Sequence, residues 1–183
     1  MRFRKGLQRF LSAFLAVLLV FSGVPATAQA EGTQTYQKIS SADEFETGKY
    51  VMVTDTGYAP GVLDGTWVTA DEVGSSPEAG SAWTITVDGN SATLQDANGQ
   101  FIAPKGGNNN GIASGGYDWE WSENGGTFTF SGTGEDTVRL ASNKGSENKF
   151  RAYKDSTVTG NPEGYPSNFT LYKLTESGSE PGG

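Results

Sequence analysis

The sequence predicts an all-β domain, and three observations carry that prediction. Short runs of β-branched and aromatic residues are separated by turn signals every eight to twelve positions. Most of these runs alternate apolar and polar residues, as half-buried strands do. Glycine is frequent, 26 residues in all, and no segment beyond the N-terminal leader has helical periodicity. We expect a closed antiparallel β-barrel, with a β-trefoil as its preferred form and at most one short helix.

The strands with the clearest pattern are Tyr50 to Thr54, Trp83 to Val87, Ala92 to Gln95, Phe128 to Phe130, Thr137 to Leu140, Phe150 to Tyr153 and Phe169 to Leu174. Ser41-Ala42-Asp43-Glu44-Phe45 has a Ser cap and early acids, the start of a helix that Gly48 stops after one turn. Asp88-Gly89-Asn90 supplies the positive φ of a tight hairpin between Trp83 to Val87 and Ala92 to Gln95. Asp96-Ala97-Asn98-Gly99 leads on to Phe101-Ile102-Ala103 in the same way, so residues 83–103 read as a three-stranded meander. A weak repeat matches Trp83-x-Ile85, Leu94-x-Asp96 and Gly99-Gln100-Phe101 to Phe128-x-Phe130, Leu140-x-Ser142 and Lys149-Phe150. A first unit running from Tyr36 through Tyr50 to Trp67 would complete three four-stranded units, the count of a trefoil.

Residues 1–30 have the layout of a secretory signal peptide. Arg2, Arg4, Lys5 and Arg9 form a cationic start, and Phe10 to Phe21 is an apolar run broken only by Ser12. Ala28-Gln29-Ala30 then places small residues where a signal peptidase reads them, which predicts cleavage before Glu31. The apolar run is shorter than the roughly 20 residues that cross a bilayer as a helix. No cysteine follows it, which excludes a lipid anchor there. The expected product is a secreted, extracellular chain with no membrane partner after cleavage: a domain over 31–174 and a flexible Gly/Ser/Pro tail over 175–183. Such a tail after a finished strand reads as an interdomain linker, so we expect the domain to be the first part of a longer chain, or else a monomer.

Removing the leader takes four of the 13 Lys+Arg and none of the 21 Asp+Glu, which leaves a net charge of −12. That charge repels phosphate backbones and anionic membranes, so nucleic acid is not an expected partner. A neutral glycan is compatible with it. The absence of histidine and cysteine removes the familiar nucleophilic triads and most zinc sites. Glycoside hydrolysis needs only two carboxylates, but among 21 acids no pair stands out, and Asp88, Asp96 and Asp136 read as turn residues. No Ca²⁺ loop pattern is present, and no cofactor, metal ligand or catalytic residue is expected.

One cluster points to recognition. In Tyr117-Asp118-Trp119-Glu120-Trp121, a strand would put Tyr117, Trp119 and Trp121 on one face and the two acids on the other. If exposed, the aromatic row beside the Asn108, Asn109 and Asn110 loop stacks on sugar rings while amides and carboxylates take the hydroxyls. If it faces inward it is core, which is the preferred reading, since each large aromatic buried adds about 1.5–3 kcal/mol. Arg139 and Arg151 sit within strands and are expected to pair with carboxylates.

Two stretches resemble a known family. Tyr36-Gln37-Lys38-Ile39-Ser40-Ser41 with Gly48-Lys49-Tyr50-Val51-Met52-Val53 opens the domain. Val138-Arg139-Leu140-Ala141-Ser142-Asn143, Lys149-Phe150-Arg151-Ala152-Tyr153-Lys154 and Phe169-Thr170-Leu171-Tyr172-Lys173-Leu174 close it. Together they resemble an accessory β domain of secreted bacterial multidomain proteins, found beside extracellular nuclease, phosphatase and 5′-nucleotidase-type catalytic domains. The resemblance covers most of 36–174 but not 72–82 or 104–127, and it implies a non-catalytic module with no assigned site residues. Three functions therefore compete: an accessory binding module of a larger secreted enzyme, with carbohydrate as its ligand; a stand-alone carboxylate-based hydrolase; and a purely structural spacer. An exposed aromatic patch at 117–121, or in the 58–67 loop, would favour the first.

Overall fold

The computed structural model divides the chain into two units, Met1–Glu31 and Gly32–Gly183. It describes residues 34–106, 111–132 and 137–176, all in the second unit. The leader, Asn108 to Asn110, Asp136 and residues 177–183 lie outside the described residues. None of the helices among the described residues is long and apolar enough to cross a membrane.

The described residues are mostly antiparallel β structure. The strands are β1 (Gln34–Lys38), β2 (Gly48–Thr54), β3 (Tyr58–Asp64), β4 (Trp67–Glu72), β5 (Trp83–Asp88), β6 (Ser91–Gln95), β7 (Ile102–Pro104), β8 (Ile112–Ser114), β9 (Trp119–Asn124), β10 (Thr127–Gly132), β11 (Val138–Ser142), β12 (Phe150–Lys154) and β13 (Phe169–Glu176). The pairings run β13 with β2, β2 with β5, β5 with β6, β6 with β9, and β9 with β10. β10 in turn pairs with β13 at Phe128↔Phe169. The strands between these are paired locally, β3 with β4, β7 with β8 and β11 with β12. Cross-links tie the three local pairs together: Phe150 lies opposite Val68, the Gly111 amide donates to the Ala152 carbonyl at 3.3 Å, and the Ile112 amide donates to Thr66 at 3.1 Å. β1 is added outside β13.

The core follows from alternation. Tyr50, Met52, Trp83, Ile85, Leu94, Trp119, Phe128, Phe130, Leu140, Phe150, Phe169 and Leu171 are all essentially inaccessible to water and form one cluster. Phe45 is delivered by a 3-10 turn over Ala42–Glu44 and packs edge-on against Tyr50 and Trp121. This turn is what the Ser41 signal produces; Ser41 Oγ bonds Glu44 instead of capping the backbone. The single α-helix among the described residues, α1, spans Asp155–Gly160; one short helix fits the expectation, but it lies away from the Ser41 signal, in residues (Ser, Thr, Val and Gly) that are poor helix formers. Burial of Val158 against Ala141 and Tyr153 holds it.

Two sequence expectations are corrected. Residues 83–103 are not a meander: β5 and β6 form the predicted hairpin, but after the Asp96 turn the chain bridges β6 only once, at Gln95↔Phe101. β7 then pairs with β8, and the free edge of β6 is taken by β9. The repeat that matched Trp83 to Phe128 is also out of step. Trp83 lies opposite Tyr50, whereas Phe128 lies opposite Phe169, and so takes the Tyr50 role in its own pair.

Residues 58–67, expected as a loop, instead form β3 and its turn, because the pairing with β4 accommodates Pro60 and Gly61 at an irregularity between Pro60 and Leu63. Gly61 sits at that irregularity, and its carbonyl accepts the Trp83 indole N–H at 2.8 Å. A Cβ at Gly61 would overlap Thr69 Oγ1 and lie 3.1 Å from Asp71 Oδ1. Neither can yield freely, because Thr69 Oγ1 accepts the Val62 amide and Asp71 holds Ser81. Gly61→Ala should therefore cost about 1–3 kcal/mol by overpacking, read from the urea midpoint; an unchanged midpoint would contradict this geometry.

Candidate functional site: an outer face on strands β6 and β9

β6 and β9 pair with Ser91 opposite Glu120 and Ala92 opposite Trp119. Directly opposed residues share a face, so this register decides which side chains meet water. Ala92 and Trp119 point inward, and Ser91 and Glu120 point outward. Alternation along β6 adds Thr93 and Gln95 to the outer face.

Trp119 is fully buried, and its indole N–H donates to the Ile102 carbonyl at 2.8 Å. Its ring cannot stack on a ligand, so at its centre the Tyr117, Trp119 and Trp121 row follows the preferred core reading, and the exposed alternative does not hold for Trp119. The other two are half-buried. Tyr117 meets Trp119 edge-on, with ring centroids 5.4 Å apart. Trp121 packs edge-on against Phe45 at 4.9 Å and donates its N–H to the Gly89 carbonyl at 3.0 Å. Burial at the strand centre and partial access at its ends follow from one register.

Two open cavities lie along this face. One, of about 590 Å³, is lined by Asn90, Ser91, Glu120 and Trp121. The other, of about 390 Å³, is lined by Thr93, Gly116, Tyr117 and Asp118. Asp118 and Glu120 are exposed, and neither cavity is lined by a Lys or Arg. Two residues along an extended chain separate these acids by about 7 Å. The structure thus brings Tyr117 and Trp121 to the cavities and sends Trp119 to the core. Asn108, Asn109 and Asn110 lie outside the described residues.

Sequence reasoning missed Asn90, Ser91 and Thr93; it gave carboxylates a part in holding hydroxyls but put Asp118 and Glu120 on the face opposite the aromatic row. Their signal is the alternation of Ser91, Thr93 and Gln95 along β6. It becomes a site only through the β6–β9 pairing, which joins residues 29 positions apart, Ser91 and Glu120. What the face offers is hydroxyl, amide and carboxylate groups beside partly open aromatic rings, an arrangement suited to polyhydroxylated ligands.

The two arginines serve elsewhere. Arg139 meets the expected carboxylate, Asp155, at 2.6 Å. Arg151 places its guanidinium 3.2 Å from the centroid of the Trp67 ring and donates to Thr66 Oγ1 at 2.9 Å. Burial lowers its pKa from the ordinary arginine value. No group of three or more potential metal-ligating side chains occurs among the described residues. No protein-family model matches the chain, and no curated protein matches it.

Proposed function

We propose that residues 31–174 are a non-catalytic extracellular module that binds neutral carbohydrate on the outer face of β6 and β9, exported by the leader over 1–30. The two cavities along β6 and β9, lined by Trp121, Tyr117, Asp118, Glu120, Ser91, Thr93 and Asn90, carry this reading. Half-open rings offer an apolar surface to a sugar, and the groups between them bond its hydroxyls. The lack of His and Cys in the whole chain supports a non-catalytic role. The resemblance of 36–54 and 138–174 to accessory domains supports placing the module in a larger secreted enzyme.

The scaffold we assign is a closed β-barrel of trefoil form. The circuit β13, β2, β5, β6, β9, β10 and back to β13 supports closure, and β3–β4, β7–β8 and β11–β12 are the three intervening hairpins. Three units follow, β2–β5, β6–β9 and β10–β13. In each, the first and last strands meet at a corresponding core pair: Tyr50↔Trp83, Ala92↔Trp119 and Phe128↔Phe169. The indoles of Trp83 and Trp119 both donate to a carbonyl in the second strand of their own unit, Gly61 and Ile102.

The spacing of about 7 Å between Asp118 and Glu120 favours one second reading, a carboxylate-based glycoside hydrolase. A glycan and polysaccharide array probed with residues 31–183 separates the two, with product release measured alongside. Retention of neutral glycans without cleavage is expected, and Glu120→Gln and Trp121→Ala should each weaken it at least tenfold, with folding checked by near-UV circular dichroism. Cleavage products that disappear in Glu120→Gln would establish the hydrolase instead. No retention of any glycan would end the recognition reading.

A further inference from the structure

Phe101 is the one exposed large hydrophobic residue among those described, at 40% accessibility. A single exposed apolar residue needs no explanation, but the position of this one is informative. Its backbone is pinned from both sides. It forms the bridge to Gln95 at the end of β6, and its carbonyl accepts the Gly115 amide at 3.1 Å, next to Gly116 of the smaller cavity. An antiparallel bridge puts opposed side chains on one face. Gln95 shares the outer face with Ser91 and Thr93 by alternation. Phe101 therefore stands on the same face as the two cavities, at the end of β6 opposite to Trp121.

The face now has a direction. Trp121 with Asn90 marks one end, Ser91 and Glu120 follow, then Thr93 and Asp118, and Gln95 with Phe101 marks the other. From Ser91 to Gln95 the strand advances about 13 Å, so the two aromatic rings bracket a polar track of that length. A track this long, open along its side, holds several linked rings. A pocket closed around one terminal sugar would have a different shape. Among the described residues, Asp118 and Glu120 are the charged groups lining the two cavities, so a chain bearing carboxylates or sulfates is repelled there.

Resting on the carbohydrate-binding reading, we propose that the ligand is the interior of an uncharged polysaccharide chain, lying lengthwise along β6 between Trp121 and Phe101. The test uses neutral oligosaccharide ladders of glucose, mannose and N-acetylglucosamine, from disaccharide to hexasaccharide, titrated calorimetrically into residues 31–183. Carboxymethylated chains form the anionic arm. Affinity should rise with each added ring until the track is filled. Phe101→Ala, at an exposed site, should weaken the hexasaccharide roughly tenfold and leave the disaccharide unchanged, whereas Trp121→Ala should weaken both. Carboxymethylation should abolish binding. Full affinity for a disaccharide, or equal binding of long chains by Phe101→Ala and the unaltered protein, would overturn the lengthwise path while leaving carbohydrate recognition intact. Binding of no ladder would overturn both.

Discussion

Trp119→Ala is expected to lose about 3–5 kcal/mol of folding stability, the largest effect of any single change on the β6–β9 face. The side chain is completely buried in the main cluster, edge-on to Tyr117, and its N–H is spent on the Ile102 carbonyl. Truncation leaves a cavity that β9 cannot close without giving up its register with β6. The same change is therefore expected to remove ligand binding by distorting the face, although Trp119 touches no ligand. Trp119→Phe separates the two contributions. It keeps most of the packing but leaves the Ile102 carbonyl without its indole donor, a loss of about 1–3 kcal/mol. Urea denaturation of both variants measures this. A Trp119→Ala midpoint within error of the unaltered protein would mean the ring is not in the core.

Asp96→Ala ranks second, with an expected loss of about 2–4 kcal/mol. Asp96 is 2% accessible, yet it carries no ion pair in the structure's described contacts and is held by amides alone. One carboxylate oxygen accepts the Asn98 and Gln100 amides, both at 2.9 Å, and the other accepts the Leu63 amide at 2.8 Å. Local bonds shape the turn after β6, and the third fastens that turn to β3. Removing the side chain leaves three part-buried amide donors without their acceptor, the Leu63 amide among them, and detaches the turn from β3. Asp96→Asn should lose less, because its carbonyl can keep the two turn amides while its NH₂ opposes the Leu63 amide. The ordering Ala worse than Asn worse than Asp is the checkable result. An Asp96→Asn midpoint equal to that of the unaltered protein would show that the bond to Leu63 contributes nothing.

Asp96 also shows what the sequence can and cannot say. Its role in an Asp-x-Asn-Gly turn was readable from residues 96–99 alone, because both turn bonds are local. The bond to Leu63, 33 positions away, was not. The same division runs through the fold. β2, β5, β6, β10, β11, β12 and β13 were legible because their own runs of β-branched and aromatic residues specify them. β3 was hidden by Pro60 and Gly61, residues that ordinarily interrupt strands and are accommodated here at an irregular pairing. β7 and β8, of three residues each, are too short to show a period. α1 depends on burial of Val158, a tertiary effect that outweighs its composition.

At the candidate site, alternation correctly separated Trp119 and Trp121 from Asp118 and Glu120, but periodicity has no sign. Only the pairing of Ala92 with Trp119 fixes which face is core, and it turned attention to the acids and to Ser91 and Thr93 across from them. The surface proposed as functional is therefore the face opposite Trp119, with Trp121 and Tyr117 at its edges.

The central claim is that a glycan lies on the outer face of β6 and β9. Titrating a neutral glycan retained by the array into ¹⁵N-labelled residues 31–183 tests it most directly. The amides of Ser91, Thr93, Glu120 and Phe101 and the Trp121 indole N–H should shift together and saturate at one affinity. The Trp83 and Trp119 indole signals, locked to Gly61 and Ile102 in the core, should stay in place. Shifts confined to another surface, or a titration that moves the core indoles and leaves Trp121 untouched, would contradict the account.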